Sequence, residues 1–252
     1  MEQIQYSTNP FGGIIINPQS LDSDPMNFSK HLGNSLQGWS AQGFKVAWLE
    51  LPTEKAALVS EAIKLGFNYH HATEDYLMLT KRIEEGAFIP PYASHYIGAG
   101  GVVISESDEL LVVSERHRRS RSPAYKLPGG ALIAGEHLAD AVVREVFEET
   151  GVETEFEALV CFRHWHEYRY GKSDIYFVTR LSPLTTEITM QEEELDEALW
   201  MPVNDFLEDP DVSLFNKTIV QAALKSKGLL PTFVPGYGDE SHHEFFMPKE
   251  IL

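Results

Sequence analysis

The stretch from Leu127 to Val152 constrains the fold of this chain more than any other, because it dictates a loop, a helix and a helix end in fixed order. At about 100° per residue, Ala139, Val142, Val143, Val146 and Phe147 fall on one arc of a helix spanning 138–150, and Glu145, Glu148 and Glu149 gather on another. The first arc is core and the second is a carboxylate cluster. Gly151, just past the last glutamate, supplies the left-handed residue that stops the helix. Upstream, Pro128-Gly129-Gly130 lets the backbone turn sharply, so that a peptide carbonyl or amide can approach a ligand closely.

Three carboxylates at i, i+3 and i+4 repel one another, and they sit in the last turn, where the helix dipole already disfavours negative charge. A divalent cation reverses that cost, since Mg²⁺ takes oxygen ligands and bridges protein carboxylates to substrate phosphates. Arg144 can pair with Glu148 four residues on and fix a carboxylate rotamer. A lone Glu-Glu pair would read as an acidic solvated helix; the whole pattern reads as a metal site.

Gly130, Glu136, Arg144, Glu145, Val146, Glu148, Glu149, Gly151 and Val152 together match the signature of the Nudix hydrolases. The resemblance implies an α+β class: a Nudix fold, that is, an α/β/α sandwich with a mixed sheet, preceded by a small α+β pre-Nudix domain. It also implies Mg²⁺ or Mn²⁺ and water attack on a phosphorus of a nucleoside diphosphate derivative. By position, Glu145, Glu148 and Glu149 correspond to metal ligands and Arg144 to the residue that orients them. The Gly129-Gly130 backbone corresponds to a further metal contact. Glu145 or Glu148 is the candidate base, and which glutamate serves stays open.

The expected organisation is a pre-Nudix domain with an irregular N-terminal segment over 1–90, a hydrolase domain over 91–230 and an irregular tail over 231–252. Within the first domain, Gly13 to Ile16 reads as an edge strand. Thr53 reads as the N-cap of a helix reaching Lys64, followed by strands at Phe67 to His71 and Tyr76 to Leu79. In the second, Tyr96 to Ile104 and Leu110 to Val113 read as a hairpin. Further strands fall at Phe156 to Phe162, Ile175 to Leu181 and Ala198 to Pro202, and further helices at Asn204 onward and Asn216 to Lys225. The pairs His70-His71 and His242-His243 read as surface, because alternate strand residues face opposite ways and adjacent histidines rarely share a side.

A formal net charge of −18 repels nucleic-acid backbones and anionic membranes, so long nucleic acid and membrane partners are not expected. It also means that a polyphosphate substrate needs local cations. Cys161 is the single cysteine, which rules out an intrachain disulfide and suits a reducing cytoplasm. No basic-then-apolar leader and no membrane-length apolar run is present, so the expected protein is soluble and cytoplasmic, with a symmetric homodimer as the default assembly.

Tyr92 to His95, Gly98 to Val103, Gly171 to Asp174 and the preceding small domain resemble a narrower branch of the family. That branch includes plant ADP-ribose and NADH pyrophosphatases and the mammalian antisense basic fibroblast growth factor protein. The resemblance implies ADP-ribose or NADH as substrate. Arg163, His164, His166, Arg169 and Lys172 form a basic cluster between two strands that could hold an anionic substrate or merely balance nearby acids. Trp165, Tyr168 or Tyr170 could stack on a base. Arg116, with Arg118, Arg119 and Arg121, could reach the phosphates. One of Glu192, Glu193 and Glu194 could complete the metal site. Pro123 and Ser114-Glu115 break the pattern of a coenzyme A-specific member. The competing classes are a non-catalytic nucleotide sensor, which the intact glutamates oppose, and an allylic isomerase, for which Cys161 lacks a partner.

Overall fold

In the first part of the chain, Ile14 and Ile16 are buried while Ile15 is exposed, the alternation of a strand with one covered face. The computed structural model describes residues 4–116 and 124–249 and divides the chain into two units, Met1–Ser94 and His95–Leu252. The first unit runs β1 (Tyr6–Thr8), β2 (Gly13–Ile16), α1 (Pro25–Ala41), β3 (Val46–Pro52), a 3₁₀ stretch Thr53–Leu58, α2 (Val59–Lys64), β4 (Asn68–Ala72) and β5 (Tyr76–Arg82). Its sheet order is β1-β2-β3-β5-β4. Only β2 and β3 are parallel, as the α1 crossover between them permits.

Four expectations for this unit are corrected. Gly13–Ile16 is an interior strand, because β1 pairs outside it. The N-terminal segment is not irregular: α1 buries Phe28, Leu32, Leu36 and Trp39 on one face, Asp24 caps it by accepting from Asn27 N at 2.8 Å, and Pro25 opens it. Thr53 does not cap a helix. Pro52 precedes it with no side-chain cap bond, and the first six residues are 3₁₀ with Lys55 outside helical geometry. Lys55 instead donates to the carbonyls of Pro18 and Leu21 at 3.0 and 2.7 Å. Finally, a register shift between Tyr69 and His71 brings the His70 and His71 Nδ1 atoms to 2.7 Å, so a β-bulge cancels the alternation that would separate them.

The second unit runs β6 (His95–Val103), β7 (Glu109–Glu115), β8 (Gly129–Ala131), α3 (Leu138–Thr150), β9 (Thr154–Arg169), β10 (Lys172–Pro183), β11 (Leu195–Pro202), α4 (Val203–Glu208), α5 (Leu214–Lys225), β12 (Leu230–Thr232) and β13 (Phe245–Met247). A mixed sheet has the order β8-β6-β10-β9, with β6 and β10 parallel and the other pairs antiparallel. β7 and β11 form a separate antiparallel pair. Side chains alternate between two cores. Val102, Leu110, Val112 and Val178 pack with Val203, Phe206, Ile219 and Val220 of α4 and α5. Val103, Leu111 and Leu181 pack with Leu138, Val142 and Val146 of α3. The result is an α/β/α sandwich. Among the described residues no helix is long and apolar enough to cross a membrane.

Two readings change here. β6 and β7 do not form a hairpin: they meet at the single bridge Ile104↔Leu110 and then pair with different strands. The segment after Thr232 is not merely irregular, since β13 pairs with β12. From the same segment, the Glu244 carboxylate accepts from Leu138 N at 2.8 Å and Ala139 N at 3.0 Å. It thereby caps α3, whose N-cap residue His137 makes no side-chain cap bond.

Candidate active site

The position of α3 is set by what β6 lacks. A Cβ on Gly101 would lie 3.0 Å from Val146 Cγ2 and 2.7 Å from Leu181 Cδ1, so the glycine lets the helix settle on the sheet. At the β8 end, Gly129 has φ +146, and a Cβ there would run into the Ala99 carbonyl and sit 2.6 Å from Gly100 Cα. No other residue fits.

This turn meets two carboxylates from the last turns of α3. A Cβ on Gly130 would collide with the Glu145 carboxylate, which therefore lies directly on the Gly130 backbone. Gly129 N donates to Glu149 Oε2 at 2.8 Å. Glu149 is buried, and its pKa is pushed up to about 7, chiefly by desolvation; Lys126 and the Gly129 amide pull it down, while Glu145 and Glu115 push it further up.

Arg144 is the hub of the remaining acids. It holds Glu136 through two bonds of 2.7 and 3.0 Å, Glu145 at 2.9 Å and Glu148 at 2.8 Å. The Glu136 bonds are the main cause of the raised Arg144 pKa, and the same pairing holds the Glu136 carboxyl below its usual value. Pairing with Glu148 follows from i,i+4 spacing; the two-pronged clasp on Glu136, eight residues back, does not, and the sequence reading missed it.

The donor chemistry suits a hard divalent ion, with carboxylate oxygens crowded on a glycine backbone and one of them buried beyond the reach of Arg144's bonds. Among the described residues, no three His, Cys, Asp or Glu side chains already converge at ligand distance. The glutamates are divided instead: Glu145 and Glu148 turn to Arg144, and Glu149 turns to Gly129.

The basic cluster is not a loop between strands. β9 extends to Arg169 and Lys172 opens β10, so strand alternation splits the five residues. His164 and His166 lie on one face, with His164 Nε2 2.9 Å from His95 Nε2 and His166 Nδ1 3.1 Å from Ser173 Oγ. Arg169 lies over the Tyr168 ring at 4.9 Å, and Lys172 Nζ lies 5.5 Å from the Tyr96 ring. Of the five, Arg163 alone lines the cavity beside Gly129, a space of about 330 Å³ whose walls include Trp165, Tyr168, Tyr176 and Phe215. Tyr176 lies so close to β6 that a Cβ on Gly100 would overlap its hydroxyl, and burial drives the hydroxyl's pKa upward. Tyr170, in the turn, is 92% exposed and outside the cavity.

The other candidates lie elsewhere. Arg116 Nε is 3.5 Å from Asp196 Oδ1, and its backbone amide donates to the Glu194 carbonyl at 2.9 Å. Arg118, Arg119 and Arg121 fall outside the described residues. Glu192, Glu193 and Glu194 form an exposed turn whose approach is tied to the end of α3 by Thr189 N→Thr150 O and Gln191 N→Glu149 O. Asp174, Tyr176, Phe215 and Asn216 of the cavity went unnoticed as site residues in the sequence, because only the β9–β10 register and the α5 N-terminus bring them together.

Residues 4–83 match the family model described as Nudix hydrolase domain, and residues 95–223 match the one described as NUDIX domain. Nudix hydrolase 8 of Arabidopsis thaliana is 43% identical over 203 residues, covering 79% of this chain and 55% of that protein. Nudix hydrolase 2 of the same plant is 42% identical over 204 residues, covering 80% and 73%. The Homo sapiens protein named nucleoside diphosphate-linked moiety X motif 6 is 34% identical over 229 residues, covering 88% and 72%. The chain thus spans about half the length of the first of these relatives.

Proposed function

The chain belongs to the Nudix hydrolase family, whose members split the pyrophosphate bond of nucleoside diphosphate derivatives, and on that premise we propose that it hydrolyses ADP-ribose or NADH with Mg²⁺ or Mn²⁺. The observation that carries this reading is the meeting of Glu145 and Glu149 with the Gly129-Gly130 backbone on the wall of an aromatic cavity. Glu145, Glu148 and Glu149 would hold the cation. When bound, it neutralises the diphosphate and acidifies a water.

The chain's own residues do the rest. A carboxylate of this cluster accepts the proton of the attacking water as its oxygen bonds to phosphorus and the P–O–P bridge breaks, leaving two phosphomonoesters. Arg144 holds Glu145 and Glu148 in orientation and keeps Glu136 as its permanent partner. The aromatic cavity takes the flat end of the nucleotide, which sets the diphosphate beside Gly129. A cytoplasmic location and a homodimer belong to the same reading, supported by the lone Cys161 and by the frequency of two-fold assemblies.

The experiment that tests the substrate is a comparison of kcat/KM for ADP-ribose, NADH, NAD⁺, diadenosine polyphosphates, coenzyme A and nucleoside triphosphates with Mg²⁺ or Mn²⁺. ADP-ribose or NADH should lead. A leading coenzyme A or triphosphate would reassign the substrate, and nucleotide binding without turnover of any compound would favour a sensor.

A further inference from the structure

The cavity beside Gly129 holds a hydrogen-bond donor and an acceptor side by side. Arg163 Nη2 donates to Asp174 Oδ2 at 2.5 Å. The guanidinium lies 5.0 Å from the Trp165 ring, 5.6 Å from Tyr176 and 4.8 Å from Phe215, so its plane is fixed by aromatic neighbours. Its Nε is buried and has no hydrogen-bond partner. Sealed from solvent, that atom is not offered to a ligand; the guanidinium N–H groups that do not bond Asp174 belong to a side chain that is 32% exposed and lines the cavity, and they supply the donor. Asp174 is 6% exposed, and as a carboxylate it can accept several bonds, of which Arg163 takes one. Beside this pair Trp165 is half exposed, with the Tyr168 ring 5.2 Å from it.

A ligand that satisfies this floor must present an acceptor next to a donor on one edge of a flat ring. Adenine does so with N7 beside its exocyclic amino group, the edge that a paired donor and acceptor read in nucleic-acid recognition. Hypoxanthine and guanine put a carbonyl oxygen where the amino group stands, which sets two acceptors against each other at Asp174. We propose that Arg163 and Asp174 are specificity-determining residues that select an adenine ring held against the aromatic wall of the cavity. The inference rests on the hydrolase reading above and adds that the cavity reads the adenosine half that ADP-ribose and NADH share.

Two measurements test it. In the first, kcat/KM for NADH is compared with that for reduced nicotinamide hypoxanthine dinucleotide, in the unaltered chain and in Asp174→Asn. The unaltered chain should prefer NADH by about tenfold or more, since a site built on a hydrogen bond rejects the analogue that cannot make it. Asp174→Asn, whose amide can donate to the carbonyl, should bring the ratio towards one. A ratio near one in the unaltered chain, or an undiminished preference in a folded Asp174→Asn, would overturn the proposal. In the second, AMP and IMP are titrated calorimetrically into the unaltered chain in EDTA, which needs neither turnover nor the variant. AMP should bind about tenfold more tightly; equal affinity, or no binding of either, would overturn the proposal. A retained AMP preference in a chain that hydrolyses nothing would sink the hydrolase reading and leave the adenine reading standing.

Discussion

The α3 carboxylates and the β9–β10 cavity share the Gly129 wall, yet they are built in opposite ways. Glu145, Glu148 and Glu149 owe their neighbouring positions to the spacing i, i+3 and i+4 of one helix, which local geometry settles before the rest of the chain is considered. Arg163, Trp165, Asp174, Tyr176 and Phe215 meet only because β9 and β10 pair in one register and α5 packs over them. The first arrangement is a chemical motif that a short segment can carry. The second can vary with register and with any residue facing it, which makes it the natural place for substrate choice.

This contrast can be broken by substitutions of graded effect. Glu149→Gln removes a charge from the proposed metal site while keeping the side chain's shape and its bond to Gly129 N. It should lower kcat by about a thousandfold in a chain whose circular dichroism is unchanged. Near-normal turnover in that variant would remove Glu149 from the chemistry. Arg144→Ala releases Glu136, Glu145 and Glu148 at once, and groups that orient metal ligands typically contribute about 10- to 100-fold. Both kcat and the Mg²⁺ dependence of the rate should shift, whereas a change confined to KM would place Arg144 with the cavity.

On the cavity side, Trp165→Ala should raise KM about tenfold with kcat nearly kept, since stacking on one ring is worth about 1–3 kcal/mol per base. A fall in kcat with KM unchanged would mean that the two regions are one. Smaller still is the effect of Glu244→Ala, which uncaps α3 and should cost about 1 kcal/mol, read as a lower midpoint of thermal unfolding. Lys172 lies over Tyr96 outside the cavity, and Lys172→Ala should change KM by less than about twofold. A larger change would return the loop end of the hairpin to the binding site.

Legibility in the sequence followed the same division. The α3 limits and its C-cap at Gly151 could be read from 138–151, because each signal is local, but the two faces could not be read in full: Phe147, expected on the core arc, is 50% exposed, and Glu149, expected on the opposite arc, is buried with Val142 and Val146. The helix α1 was equally local but hidden: Asn27, Ser29, Gly33, Asn34, Ser35 and Gly38 masked the buried row Phe28, Leu32, Leu36 and Trp39, although Asp24-Pro25 marks the start. The Glu136 clasp on Arg144 and the Glu244 cap on α3 depend on loops that return over long chain separations, which no periodicity records. The basic cluster was misread for a related reason. A count of charges along the chain ignores strand alternation, which turns His164 and His166 away from Arg163.

On the proposed reading, the acids of α3, charged with a divalent cation, drive hydrolysis of a diphosphate bridge. The most direct measurement is the product mixture from ADP-ribose and from NADH after incubation with Mg²⁺ and, in parallel, with EDTA. The account predicts AMP and the second phosphomonoester with Mg²⁺ and neither with EDTA, activity returning when the ion is restored. Products that form equally well in EDTA, or none in either condition, would contradict it.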